Sequence, residues 1–474
     1  MNYFSILLLV LLSCSAQNDI STLSNKELFG QMVMLGIKDK HLSETEKRWL
    51  NEYSIGSLLL LKRNIPSTAD SVIQVIKGYQ SHLSEPALVS IDQENGWISR
   101  LHGVVTELPN NYALGKLNSL NTTKNIAEIS GKELLALGIH WSLSPVADVN
   151  SNPKNPIIGV RSFGENTSIV QKHSLAYIDG LNSAGVLSSI KHFPGHGDTS
   201  FDSHYDKVII YKDQKELESI DLVPFNTLGN SKHPQPTSVM IGHILLPKID
   251  SVPATISKKI MGFIPSDYTG LKVADELEMN ALAKFYNPYK AVVTMIENGM
   301  DVIIMARALK QRVDVDSLFT YVDAYTAKSA TFRNRLIESV TRIKKQKARF
   351  KNHTPSLKTF NQLRDTHRAY ASQVFKEIPY FLSGSIPKEI PFTFSKDAYT
   401  QEIVKRFNLA LPKSEGKPVQ FVSKKTNEVN PNAILISIEN PYVLDSFQNP
   451  TKICFYNRYA PIHTLFNLLF KGKQ

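Results

Sequence analysis

From residue 28 onward, short apolar runs alternate with longer segments whose apolar positions recur at helical spacing. Strand-like runs fall at 32–37, 55–61, 87–91, 140–144, 186–190, 238–241, 271–274 and 301–305. Strands that alternate with helical segments are the pattern of repeated βα units, and such units build a parallel sheet. Eight of them predict an α/β fold of the (β/α)8 type. The last strand lies in Asn298-Gly299-Met300-Asp301-Val302-Ile303-Ile304-Met305, and the Arg- and Lys-rich helical stretch 333–350 is expected to close the barrel.

Many of the apolar runs end in polar residues: Lys62-Arg63, Asp92, Asp148 just beyond Pro145, Lys191-His192, His243 and Asp275. A barrel of this type builds its active site at the C-terminal ends of its strands, so these groups are expected to converge on one pocket. Taken singly, each is equally a loop residue or a salt-bridge partner. The densest stretch follows the run 185–190 and reads Lys191-His192-Phe193-Pro194-Gly195-His196-Gly197-Asp198-Thr199-Ser200-Phe201-Asp202-Ser203-His204. Its glycines and proline predict a long loop at a strand's end, presenting histidines, aspartates and a lysine.

This stretch resembles the signature of glycoside hydrolase family 3, in the branch of bacterial β-N-acetylglucosaminidases that act on peptidoglycan fragments. The resemblance implies that His204 is the general acid/base and that Asp202, two residues before it, is its partner. Leu271-Lys272-Val273-Ala274-Asp275-Glu276-Leu277-Glu278-Met279 resembles the family's nucleophile motif and makes Asp275 the nucleophile. Glu276 occupies a variable position and is expected to face away; a swap of roles between the two stays open, with the strand-end position favouring Asp275.

Val89-Ser90-Ile91-Asp92-Gln93-Glu94-Asn95-Gly96-Trp97 resembles a further motif, whose aspartate, here Asp92, accepts hydrogen bonds from sugar hydroxyls. Arg161, Lys191 and His192 are implied as donors to the same sugar. For Arg161 a structural salt bridge is the competing reading. His243 is expected either to face the pocket as a substrate-binding group or to be a satisfied core histidine. Asp148 and Asn150 are expected to fix loops. The chain departs from the family pattern at Asn95, where a second glycine is usual, and at Trp97, where an arginine is usual.

The implied chemistry is glycosidic cleavage with retention through a covalent intermediate on Asp275. A histidine suits both proton transfers because its ordinary pKa lies near working pH. His196 and Asp198, with His192 and His204 nearby, match no familiar metal-ligand spacing, so neither a metal nor another cofactor is expected. The implied substrate is a GlcNAc-containing glycan or muropeptide. Phosphate as acceptor would make a GlcNAc phosphorylase of the same site, and an inactive glycan-binding lipoprotein is the reading from another class.

The 474 residues exceed one barrel and leave room for a second domain. The expected division is an export signal at 1–16, the barrel at 22–352 and a reduced α/β domain at 353–474. In the last, a helix is expected to start at His367, a polar loop to occupy 412–429, and closing elements to fall at 434–442, 459–461 and 465–470. With 42% hydrophobic and 20% charged residues the composition is globular. The net charge of +11 suits an anionic polymer such as cell-wall glycan, or a basic solvated surface. No dense Lys/Arg run with interleaved aromatics points to nucleic acid.

The apolar core 4–12 is too short to span a bilayer. Leu11-Leu12-Ser13-Cys14 resembles a lipobox, which implies export to the periplasm or cell envelope with lipidation at Cys14 anchoring the chain to a membrane; cleavage after Ala16 is the alternative. Cys454 is the other cysteine, so the chain holds no internal disulfide framework.

Overall fold

The computed structural model describes residues 20–199, 208–306 and 313–378, and parts of 381–454. Each of the eight expected strands is present: β1 (Val33–Gly36), β2 (Ser57–Leu60), β3 (Leu88–Ile91), β4 (Trp141–Ser142), β5 (Leu187–Phe193), β6 (Ser238–Ile241), β7 (Leu271–Ala274) and β8 (Val302–Met305). They pair in parallel in sequence order, and β1 pairs with both β2 and β8, so the sheet closes into a barrel. Closure removes the sheet edges, and the helices between strands cover the outside. Both faces are therefore apolar: Val33, Met34 and Leu35 of β1 and Leu58, Leu59 and Leu60 of β2 are all buried.

At the N-terminal end, buried Asp301 just before β8 accepts hydrogen bonds from Arg335 (2.9 Å), Arg342 (2.6 Å) and Ser339 (2.7 Å). All three lie on the helix Ala330–Ala348, so the basic stretch expected to close the barrel is fastened there by ion pairs. A cluster at this face serves stability rather than chemistry.

One strand overruns its expected end. β5 continues past Ile190 through Lys191, His192 and Phe193, the first three residues of the stretch read as loop. Lys191 stays in register with Met240 of β6 and bridges to Val146 on the other side, and the register shifts before Phe193. Phe193 is buried edge-on against Phe225, with ring centroids 5.4 Å apart. Ladder partners on both sides and an apolar berth keep the strand going.

After the barrel, the helix Leu357–Glu377 starts well ahead of the expected position at His367, because Ser356 caps it by accepting from the Thr359 amide (3.1 Å). Its His367 meets Glu133 (2.8 Å) and its Tyr370 accepts from Asn125 (3.0 Å), both on the barrel helix Leu120–Ala136. A second sheet follows, with β9 (Phe381–Ser383), β10 (Phe392–Phe394), β11 (Lys417–Val422), β12 (Ile434–Ser437) and β13 (Lys452–Cys454) in the order β9-β13-β12-β11-β10. β9 is antiparallel to β13 and the other pairs are parallel.

β11 falls within 412–429, so the polar loop expected there is in part a buried strand: Val419, Phe421 and Val422 are solvent-free. Val422, Leu435 and Cys454 share one core with Val374 and Phe375 of the preceding helix and with Leu108 and Tyr112 of the barrel side. The closing elements expected at 459–461 and 465–470 lie outside the described residues, as does the signal segment with Cys14. Among the described residues no helix is long and apolar enough to cross a membrane.

Candidate active site

A cleft of about 210 Å³ opens at the C-terminal ends of the barrel strands. Its walls include Asp92 after β3, Lys191 and His192 in β5, Arg161 in a short turn, and Asp275 after β7. These are the residues expected to meet there. Glu94, Arg100, His196 and Glu276 join them, and none of these four was assigned to the site by sequence.

Glu94 is the electrostatic centre. Its carboxylate receives a two-pronged contact from Arg161, Nε to Oε2 and Nη2 to Oε1 both at 2.8 Å, and it also meets Lys191 Nζ at 2.6 Å. Burial alone would raise the Glu94 pKa; the Arg161 and Lys191 charges outweigh it and hold the group well below the usual carboxylate range. Lys191 Nζ also donates to Asp92 Oδ1 at 2.9 Å, and Arg100 Nη2 stands 3.8 Å from Asp92 Oδ2. For Lys191 burial pulls down and the Asp92 and Glu94 carboxylates pull up, with a raised pKa as the net result. The salt bridge and the cleft-lining role read as alternatives for Arg161 are thus both present.

Asp92 and Glu94 share a face because Gln93–Asn95 is extended, so residues two apart point the same way. That two-residue spacing was the signal by which Glu94 could have been found.

His192 is held from below. Asp148 Oδ2 lies 2.7 Å from His192 Nδ1, and the same carboxylate accepts from the His192 amide (3.2 Å) and the His196 amide (2.7 Å). Burial acts to raise Asp148, and the His192 charge and these donors reverse it, so its pKa is lowered. Asp148 is a loop-fixing residue as expected, and what it fixes is the ring that lines the cleft. Asn150 accepts from the Gly159 amide (3.1 Å), holding the turn that carries Arg161. His196 shares Nδ1 with the Thr199 hydroxyl (3.0 Å), and burial brings its pKa down to about 4. Among the described residues no group of three or more His, Cys, Asp or Glu side chains is arranged to hold a metal ion.

Asp275 sits one residue past β7, its amide bound to the Ile241 carbonyl (2.9 Å) and its Oδ1 accepting from the Glu276 amide (2.8 Å). Glu276 corrects the expectation that it faces away: its half-buried carboxyl lines the cleft, with Oε2 accepting from the Ala306 amide and Oε1 from the Glu278 amide (3.3 Å). The turn folds the side chain back over the end of β8 to satisfy those donors. Burial, with the neighbouring Glu278 charge, pushes its pKa up to about 8.

Of the two readings of His243, the satisfied core histidine is the one present, and the expectation of a substrate-binding role is corrected. It does not line this cleft; it is buried, with Nε2 at 2.9 Å from the Glu276 carbonyl and Nδ1 at 2.8 Å from the Thr255 hydroxyl. A carbonyl can only accept, so Nε2 carries the proton and Nδ1 accepts from Thr255. The residue is a satisfied histidine that props the Asp275–Glu276 turn. Arg63 likewise stays out of the cleft, donating to the Ile37 (2.8 Å) and Ala306 (2.7 Å) carbonyls beyond β1 and β8. Asp202 and His204 lie outside the described residues.

The departures at Asn95 and Trp97 also fall outside the cleft wall. Asn95 has φ of 68°, a left-handed conformation that glycine adopts freely and asparagine tolerates better than most residues. Its side chain donates to the Tyr177 hydroxyl (2.8 Å) within a buried network. Trp97 packs, half-buried, against the core that contains Leu108 and Tyr112.

A closed parallel barrel with paired carboxylates and cations at its C-terminal strand ends is the framework on which barrel enzymes build their active sites. Residues 24–345 match the glycosyl hydrolase family 3 N terminal domain, and the chain belongs to that family. It is 33% identical over 341 residues to "Beta-hexosaminidase A" of Pseudoalteromonas piscicida, a match covering 66% of this chain and 56% of the relative. The chain therefore spans little more than half the length of that relative. A fungal multi-domain family 3 β-N-acetylglucosaminidase superposes with a TM-score of 0.82 at 27% identity, covering 95% of this chain and 60% of the other. A family 3 β-N-acetylglucosaminidase from Paenibacillus sp. superposes with a TM-score of 0.81 at 23% identity, covering 96% and 98%. This last likeness extends through the second sheet and speaks to fold alone.

Proposed function

We propose that the protein is a retaining exo-β-N-acetylglucosaminidase that removes non-reducing-end GlcNAc from peptidoglycan fragments or related glycans. The observation that carries this reading is Asp275 at the end of β7, opening on the same cleft as Asp92, Lys191 and His192. The names of the relatives at 33% and 27% identity support the same substrate class.

Asp92 and the donors Lys191, Arg161 and His192 bind the sugar's hydroxyls, and the Asp275 carboxylate attacks the anomeric carbon to form a glycosyl-enzyme. His204, oriented by Asp202, gives its proton to the departing oxygen and then takes one from the water that releases the sugar. Both assignments on that loop rest on the family resemblance. Attachment to a membrane of the cell envelope through Cys14 belongs to the same proposal.

The test is release of p-nitrophenol from its β-N-acetylglucosaminide. Asp275→Asn should lower turnover on the order of 10⁴-fold. His204→Ala should lower it by about 10²-fold or more on substrates with poor leaving groups. Adding phosphate separates hydrolysis from phosphorolysis: a rate that depends on phosphate would reassign the acceptor. No turnover by folded wild type on this substrate or on muropeptides would leave a glycan-binding role.

A further inference from the structure

Asp202 and His204 lie in sequence between Thr199 and Val208, and each of these flanks is held by a different part of the barrel. On the leading flank, Asn155 Nδ2 donates to the His196 carbonyl (2.8 Å) and the Gly197 carbonyl (3.0 Å), and Asn152 Nδ2 to the Thr199 carbonyl (3.3 Å). Both asparagines belong to the segment between β4 and the turn of Arg161. On the trailing flank, Val208–Ile209 pairs in parallel with Ile244–Leu245 beyond β6, and the Ile210 amide reaches the Leu245 carbonyl (3.0 Å).

Lys212 joins the two flanks. Its Nζ stands 2.7 Å from Asp221 Oδ2 and 3.2 Å from Asp198 Oδ2. Asp221 is fully buried and lies directly against the leading flank, where a Cβ on Gly195 would come 2.5 Å from the Asp221 Cβ. So dry a carboxylate requires a cation beside it, and Lys212 supplies one. The contact with Asp198 does something else. The Asp198 side chain is 36% exposed, so this pair is open to water and worth little in stability. Its consequence is geometric: it ties the end of the leading flank to the trailing one.

We propose that Lys212 is a positioning residue for the acid/base: by bridging Asp221 and Asp198 it fixes the spacing of the two flanks between which His204 is carried, and so aims the proton donor at the leaving oxygen. The proposal rests on the glycosidase reading and deepens it. Proton transfer to a departing oxygen tolerates little displacement of the donor, and a misplacement of about 1 Å costs up to about 10²-fold.

The test reads leaving-group dependence. kcat/KM reports cleavage of the glycosidic bond; the 2,4-dinitrophenyl β-N-acetylglucosaminide departs without a proton, whereas the phenyl β-N-acetylglucosaminide needs one. Assays at about pH 7.5 keep Asp221 ionised, since burial raises it only to about 6. Asp198→Ala keeps the Lys212–Asp221 pair and should lower kcat/KM about tenfold on the phenyl substrate and at most about twofold on the dinitrophenyl one. Lys212→Met should show the same bias, and the double variant should be no worse on the phenyl substrate than Lys212→Met, because both changes break one contact. Equal losses on the two substrates, no loss on either, or single effects that multiply in the double variant overturn the proposal. Should Lys212→Met misfold by stranding Asp221, Asp198→Ala alone decides between these outcomes. His204→Ala keeps the two readings apart. If it lacks the leaving-group bias, the acid/base assignment falls and the inference with it; if it shows the bias and neither Asp198→Ala nor Lys212→Met does, the inference alone falls. Turnover of neither substrate by wild type removes the glycosidase reading and the inference together.

Discussion

Removing Glu94 tests whether one buried carboxylate organises the sugar-binding wall. In Glu94→Gln the shape is kept, but Arg161 and Lys191 lose an anion that both contact at 2.6–2.8 Å. Stranding a buried charge typically costs about 3–5 kcal/mol, so the denaturant midpoint should drop by that order and KM should rise more than kcat falls. The depressed Glu94 pKa gives the contribution a pH signature. It is present above the ordinary carboxylate value of about 4.3 and is lost as pH falls toward the folded-state value. The stability gap between wild type and variant should therefore close below pH 4. At this scale, Asp92, Lys191, His192 and Asp275 were legible as cleft residues because motif residues at strand ends have one pocket to enter, and Arg161 was legible from its motif, though it reaches the cleft from a short turn. Glu276 was misread and the two readings of His243 could not be separated, because a side chain's direction is chosen by its local partners, here the Ala306 amide and the Thr255 hydroxyl, which sequence spacing does not display.

Strands were legible for a simple reason: a strand covered on both faces must be apolar almost throughout, and eight such runs stand out. Their ends were not, since β5 stops where its ladder partners stop rather than where its polar residues begin. The glycines after β5 show what the motif requires of the backbone. A Cβ on Gly197 would come 1.7 Å from the Val149 carbonyl oxygen, beside the residue that fixes His192, so the two segments touch only because no side chain intervenes. Gly197→Ala should lower stability by about 1–3 kcal/mol and reduce turnover further than that loss explains, because Asp148 moves with Val149. Gly78→Ala is the matched control. It lies in the helix Ala69–Gln80 with nothing within 4 Å of the added methyl, and helix propensity predicts a gain of up to about 1 kcal/mol. Thermal melts with activity assays on the two variants would read both effects.

Across the whole molecule, burial sets how stability answers to pH. His140, His173 and His196 are brought down to about 3, 4 and 4, chiefly by desolvation. Each stays neutral in the fold and takes up a proton on unfolding at any pH between its folded value and the ordinary 6.5, so the unfolded chain binds more protons there and stability rises with pH. Asp221 and Glu276, raised to about 6 and 8 by burial, act the other way from about pH 4 up to those values, because the fold holds protons that the unfolded chain has released. The histidines outnumber the carboxyls, leaving at least one net proton, a slope of about 1.4 kcal/mol per pH unit between pH 4 and 6.5. Above 6.5 the histidine contribution fades, Asp221 has ionised, and Glu276 makes stability decline, a decline that Lys347, brought down to about 8 by burial, increasingly offsets as pH nears 8. Thermal midpoints measured at fixed ionic strength should thus climb from pH 4, crest near 6.5 and sag slightly by 8, and Glu276→Gln should erase the sag while leaving the climb. A crest displaced to pH 5 would mean that the buried histidines are charged in the fold, and the tautomer deduced for His243 would fall with them.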